Sequence, residues 1–150
     1  MYEKILVPLD GSPTSELGLA EAIKLARLTG ARLALLHVVD TAAVAIVPEA
    51  AAGAASVFDV MRASGEQILA KARLDTERAG VAVETALLET VAGRVSDLVV
   101  EEASKRRADL IVMGTHGRRG VGRMLLGSDA ELVVRNARVP VLLVRAREHA

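Results

Sequence analysis

The sequence predicts an α/β protein: a single doubly wound, five-stranded parallel sheet with helices on both faces. Three observations carry this. Short, nearly continuous apolar runs recur along the chain, the mark of strands buried on both faces. Stretches with helical amphipathic spacing stand between them. The resulting order, β-α-β-α-β-α-β-α-β, closes most simply as a parallel sheet joined by right-handed crossovers.

Lys4–Leu9 (KILVPL) is the first run, ended by Asp10-Gly11-Ser12. Ser12 can cap a helix, and Pro13 suits its first position, where a missing N–H costs nothing. Leu19, Ile23 and Ala26 share one face of that helix, and Gly30 stands where a left-handed stop is expected. Arg32–Val39 (RLALLHVV) is the second strand, ended by Asp40. His37 lies inside it and reads as a packed or hydrogen-bonded core residue. Thr41–Ser56 is Ala-rich, and its length fits an excursion or a short helix better than a tight turn. Val57–Ala79 is an amphipathic helix with Met61, Gly65, Ile68, Ala72 and Ala79 on one side, stopped by Gly80. Val81–Leu88 is the third strand, less apolar and so nearer an edge. Arg94–Arg107 reads as a helix with Val95, Leu98, Val99 and Ala103 inward and Glu101, Glu102, Lys105 and Arg106 outward. Asp109–Met113 is the fourth strand, Ser128–Asn136 a helix with Leu132 and Val133 inward, and Val139–Arg145 (VPVLLVR) the fifth strand.

Composition narrows the chemistry. The 150 residues fit one domain, and at that size roughly 70% of the unfolded chain's surface can be buried. There is no Cys, which removes thiolate catalysis, disulfides and Cys-ligated zinc, and fits a reducing, cytoplasmic setting. Lys plus Arg equals Asp plus Glu at 19 each, so no global field draws the chain to nucleic acid or anionic lipid. With no Trp, one Tyr and one Phe, base-stacking platforms are nearly excluded. The opening MYEKILVPLDGS carries charge at once, unlike a signal peptide, and no stretch is long and apolar enough for a membrane span.

The chemistry concentrates in Ala108–Ser128, ADLIVMGTHGRRGVGRMLLGS. A buried strand empties into a loop with Gly114, Gly117, Gly120 and Gly122, interleaved with Arg118, Arg119 and Arg123, and closes on Gly127-Ser128 at a helix start. Glycines let backbone N–H groups approach phosphate oxygens, and a helix N-terminus favours an anion. Ligands of doubly wound sheets bind beyond the strand C-termini, where the strand order reverses. If the first and fourth strands are neighbours there, Asp10 and the glycine loop face one crevice. Asp10 is then either a ribose or cation partner or the first residue of an ordinary Asp-Gly turn. His116 is either a phosphate donor or an exposed side chain, and His149 lies in the tail. No Gly-Lys-Ser/Thr follows, so this is not a P-loop, and the glycines do not make a dinucleotide fingerprint.

The chain resembles the universal stress protein family over nearly its whole length. The resemblance rests on ILVPLDGS, LHVVD, ADLIVMGTHG and VPVLLV, and above all on G-x-x-G, nine residues, then G-S: Gly114, Gly117 and Gly127-Ser128. It implies a Rossmann-like sheet of strand order 3-2-1-4-5, related to the adenine nucleotide alpha hydrolase fold. The pattern is associated with the family's ATP-binding branch and so implies an adenine-nucleotide site. ATP is the expected ligand, AMP or cyclic AMP the alternatives, and Mg²⁺ can accompany the phosphates. By position, Asp10 would meet the ribose, and the backbone near Pro8, Leu9 and Val38 would frame the adenine. Met113 and Gly114 would lie under the ribose and first phosphate, while Gly117, Arg118, Gly127 and Ser128 would hold the phosphates. Asp129 and Ala130 depart from the family's usual uncharged residue and hydroxyl, and the Asp129 carboxylate either opposes a triphosphate or points away on the new helix.

Three functions stay open at this point: a nucleotide-binding stress-response regulator, a slow Mg-dependent ATPase or phosphotransferase, and a structural dimer with a vestigial site. Chain order makes the fifth strand a sheet edge, which Pro140 blunts by one donor. The resemblance implies a homodimer through Val139–Arg145.

Overall fold

The computed structural model describes residues 1–42, 54–116 and 126–147. Nine elements alternate: β1 (Lys4–Pro8), α1 (Pro13–Thr29), β2 (Arg32–Asp40), α2 (Ala54–Arg78), β3 (Val83–Thr90), α3 (Val95–Lys105), β4 (Leu110–Gly114), α4 (Ser128–Asn136) and β5 (Val141–Val144). The strands form one five-stranded parallel sheet of order β3-β2-β1-β4-β5, as expected, with β3 and β5 at its edges. Most of the Thr41–Ser56 excursion, all of 117–125, and His149 lie outside the described residues.

Alternation along each strand splits the core in two. Ile5, Val7, Leu33, Leu35 and Val112 meet Leu19, Ala22 and Ala26 of α1 and Leu69 and Ala72 of α2. On the other face Leu6, Leu36, Ile111 and Met113 meet Val99 and Ala103 of α3 and Ala130 and Val133 of α4. The expected caps are present. Ser12 Oγ accepts from the Ser15 N–H at 3.2 Å, and Gly30 and Gly80 stop their helices at φ 77° and 76°.

Several boundaries move, for identifiable reasons. The third strand begins at Val83 rather than Val81, because the Val81 N–H is committed to the Thr76 carbonyl of α2 at 3.2 Å. The second helix begins at Ala54, three residues before the expected start. The first strand ends at Pro8, one residue early: the Leu9 N–H still donates to the Leu36 carbonyl at 2.8 Å, and the pairing with β2 goes no further.

Glu102 is a correction: it was expected outward and is buried at 6% exposure. Arg106, one turn later on α3's exit, makes this possible by reaching Glu102 Oε1 at 2.5 Å and Glu84 Oε1 at 3.1 Å. Lys4 Nζ reaches the same Glu84 oxygen at 3.3 Å from β1. Ala34 lies between them on β2, in register with Glu84, and its small side chain leaves room for the contact. Burial alone would push the Glu84 carboxyl up; hydrogen bonds from Arg106 and Lys4 outweigh it and hold Glu84 below the usual carboxylate range.

Candidate functional site

The strand order reverses between β1 and β4, whose neighbours β2 and β5 lie on opposite sides. That makes the C-terminal ends of β1 and β4 the switch-point crevice. Asp10, Met113, Gly114 and the Gly127-Ser128 turn converge there.

The floor is built by close packing. An added Cβ on Gly114 would lie 2.7 Å from the Thr14 carbonyl carbon and oxygen and 3.0 Å from the Ser15 nitrogen, so the N-terminus of α1 rests on the end of β4. Thr14 Oγ1 donates to the His116 carbonyl, tying the two together. The glycine at 114 is therefore demanded by helix–strand packing, whatever ligand it meets. Beyond β4, the Thr115 N–H donates to the Val144 carbonyl at 3.0 Å, and the Gly127 N–H donates to the Thr115 carbonyl at 2.8 Å. These bonds fix Thr115 to β5 and Gly127 to Thr115, and so set the N-terminus of α4 beside the end of β4. Gly117 and Arg118, with Arg119, Gly120, Gly122 and Arg123, lie outside the described residues.

Gly127 differs from Gly114. Its φ of −58° and ψ of 148° are open to any residue, so its conformation does not require glycine. Ser128 and Asp129 follow as exposed residues of the first turn of α4, and Ala130 is buried beneath them. Asp129 stands where a helix dipole favours a carboxylate.

Asp10 is half-buried, and its Oδ1 accepts from the Ser12 N–H at 2.9 Å, an Asx turn completed by Gly11 at φ 79°. Asp10 thus belongs to an Asp-Gly turn that follows the end of β1. Leu9 and Met113 bury their side chains in opposite cores, so only their backbones reach the site. His116 is half-buried rather than exposed. Its Nδ1 meets Thr115 Oγ1 at 2.9 Å, and among the described residues its buried Nε2 has no hydrogen-bond partner.

A step in the sheet follows from strand register. The Arg32 N–H donates to Glu3 and the Leu33 N–H to Ala82, so even residues of β2 address β1 and odd ones address β3. Val38 therefore turns its N–H and carbonyl toward β1. The β1 ladder has already ended, at the Pro8–Leu36 pair, while β2 and β3 continue to Asp40 and Thr90. The result is a step in the sheet, with an adjacent backbone donor and acceptor directed over the end of β1. His37, as expected, is a hydrogen-bonded core residue, with its Nδ1 2.7 Å from the Leu9 carbonyl. Sequence reasoning missed Thr14 as the latch of the loop; a hydroxyl in a helix's first turn carries no mark of its distant partner. A groove of about 290 Å³ between α1 and α2, bridged by Lys71 and Glu16 at 2.8 Å, starts at Leu9 and Gly11 and continues between the helices past Leu19, Ile23 and Ile68.

Among the described residues no helix is long and apolar enough to cross a membrane, and no group of three His, Cys, Asp or Glu gathers into a metal site.

Fold and site together define a doubly wound α/β protein with a crevice at its switch point. The chain belongs to the universal stress protein family, whose model matches residues 1–145. It is 38% identical to the universal stress protein MJ0531 of Methanocaldococcus jannaschii, over 97% of this chain and 83% of that one. The structure of MJ0577 from the same organism superposes with a TM-score of 0.88 at 26% identity, over 99% of both chains. An Archaeoglobus fulgidus universal stress protein in complex with dAMP matches with a TM-score of 0.68 at 26% identity, over 95% of this chain and 98% of that one. A universal stress protein in complex with cAMP matches with a TM-score of 0.67 at 26% identity, over 96% and 97%.

Proposed function

We propose that this protein is a cytoplasmic adenine-nucleotide-binding stress-response regulator, acting as a homodimer with ATP as its ligand. The step at the end of β1 carries the reading, because the Val38 N–H and carbonyl, both turned toward β1 beyond the end of its ladder, offer an adenine edge an adjacent donor and acceptor. Asp10 would take the ribose hydroxyls. Pro8, Leu9 and Met113 would line the base and sugar with backbone, and Gly114 would pass beneath the first phosphate. Gly117, Arg118, Gly127 and Ser128 would hold the phosphates, aided by the free amides of α4. The ordinary φ of Gly127 supports this, since a missing Cβ there serves close approach rather than backbone strain. The cAMP and dAMP complexes of two relatives support the adenine part of the reading. Mg²⁺ would arrive with the phosphates.

The test is thermal unfolding with ATP, AMP, cAMP and GTP, with and without Mg²⁺. At 100 times its dissociation constant a ligand adds about 2.7 kcal/mol, roughly 5–10 °C in a chain of this size. ATP is expected to give that shift, GTP not, and Gly127→Val to abolish it while the circular dichroism spectrum persists. No shift with any adenine nucleotide at millimolar concentration refutes the reading. Turnover with Mg²⁺ that disappears in Asp10→Ala would make the protein a slow ATPase instead.

A further inference from the structure

The β1–β2 ladder ends where one more bond was available. The Leu9 N–H still donates to the Leu36 carbonyl at 2.8 Å. In a continuing parallel ladder the next bond would run from the Val38 N–H back to the Leu9 carbonyl. The pairing instead stops at Pro8–Leu36, and the Leu9 carbonyl meets His37 Nδ1 at 2.7 Å. A carbonyl oxygen only accepts, so Nδ1 carries the hydrogen and the ring takes the place of a ladder donor.

The ring is also held from behind. His37 is 7% exposed and stands on the face that carries α2. An added Cβ on Gly65 would lie 2.5 Å from its Cδ2 and 3.0 Å from its Nε2. The glycine lets α2 close onto the imidazole, and α2 in turn keeps the imidazole against Leu9. Leu9 leads directly into Asp10 and the Asx turn, so the same contact aims the β1–α1 corner.

We propose that His37 is a positioning residue of the adenine end of the crevice. It draws the Leu9 carbonyl out of the ladder, so that β1 turns away and the Val38 N–H is kept for a ligand rather than spent on the sheet. The proposal rests on the adenine-nucleotide reading above. Without the Nδ1 donor, the Leu9 carbonyl is a buried acceptor whose nearest ladder donor is Val38. The ladder then lengthens by one bond, and the site loses a donor while the fold survives.

The experiment compares His37→Leu, which removes the donor, with His37→Asn, whose amide nitrogen can occupy the Nδ1 position. ATP affinity is measured by calorimetry at a temperature where each variant is folded. His37→Leu is expected to bind ATP about tenfold more weakly, the loss that one well-made hydrogen bond brings, and His37→Asn to stay within about threefold. Amide hydrogen exchange gives a ligand-free readout. The Val38 amide should become more protected in His37→Leu, even as the chain as a whole becomes less stable, which no merely structural loss would produce. If His37→Leu does not fold, His37→Gln, whose amide reaches the Nε2 position instead, carries the same expectations. Wild-type protein that binds no ATP overturns the nucleotide reading and this role together. Wild-type binding with unchanged affinity in His37→Leu, or with unchanged Val38 exchange, overturns the positioning role alone.

Discussion

Gly114 and Gly127 belong to one motif yet are glycines for different reasons. At 114 a Cβ would strike the Thr14 backbone; at 127 the backbone is ordinary, and under the proposed function the missing Cβ would serve the approach of a phosphate. Asp129 follows two residues on. Its carboxylate sits in the first turn of α4, where the helix dipole favours it, but a triphosphate would need the same positive end. Asp129→Asn is therefore expected to act in two directions. It should cost about 0.3–1 kcal/mol of stability, measured by urea unfolding, and should tighten ATP by about two- to fivefold while changing AMP less. Equal changes for the two nucleotides would place the carboxylate away from the outer phosphates. At this scale the sequence marked the glycines, Asp10 and the Ser12 cap, because each is a local choice of backbone or cap. It could not mark Thr14, or the burial of Glu102, because their partners are distant side chains or carbonyls. Glu102 looked like one polar residue of an outer face until Arg106 neutralised it.

The elements show the same division between local and distant causes. Helix stops at Gly30 and Gly80 were legible, whereas the start of β3 was not, since it depends on the Val81 N–H being held by the last turn of α2. What ties β1, β3 and α3 together beyond the core is the chain of charges Lys4, Glu84, Arg106 and Glu102. Its consequence is an acid limb. Glu84 titrates below its ordinary range in the fold, so its contribution is fully present above the unfolded-state value and is lost as pH falls through the folded one. Unfolding free energy should therefore fall as pH drops through and below the usual carboxylate range, and Glu84→Gln should flatten that limb. Because the Glu84 side chain is 38% exposed, its loss at neutral pH should cost only about 1 kcal/mol. Arg106→Met, which strands Glu102 in a nearly buried position, should cost about 2–3 kcal/mol. Urea unfolding from about pH 2 to about pH 7, which brackets the titration of carboxylates, checks both. Parallel curves for wild type and Glu84→Gln would remove this network from the acid response.

For the molecule as a whole, the strand order and both helical layers followed from alternating apolar runs and from family resemblance, because a parallel sheet leaves few topologies once crossovers are right-handed. The open edge did not follow so simply. Pro140 was expected to blunt the free edge of the last strand. Its carbonyl accepts from the Ile111 N–H at 3.0 Å and that of Val144 from the Thr115 N–H at 3.0 Å, so even residues face β4. The missing proline N–H is thus lost from the β4 side, and Val141 and Leu143 direct their donors and acceptors outward from β5. An edge of this kind, with Leu142 37% exposed along it, is a template for pairing with a second chain. The proposed homodimer, if joined through β5, would be the simplest closed assembly, with the same strand meeting itself across a two-fold axis. Light scattering at micromolar concentration should then return twice the chain mass. Leu142→Glu would put a carboxylate from each protomer beside the pairing strand and should weaken the dimer by about tenfold or more, since facing like charges oppose association. Its far-ultraviolet circular dichroism should be unchanged, because Leu142 is a partly exposed edge residue rather than a core one. A wild-type monomer under these conditions would leave β5 as an unpaired edge and overturn the homodimer.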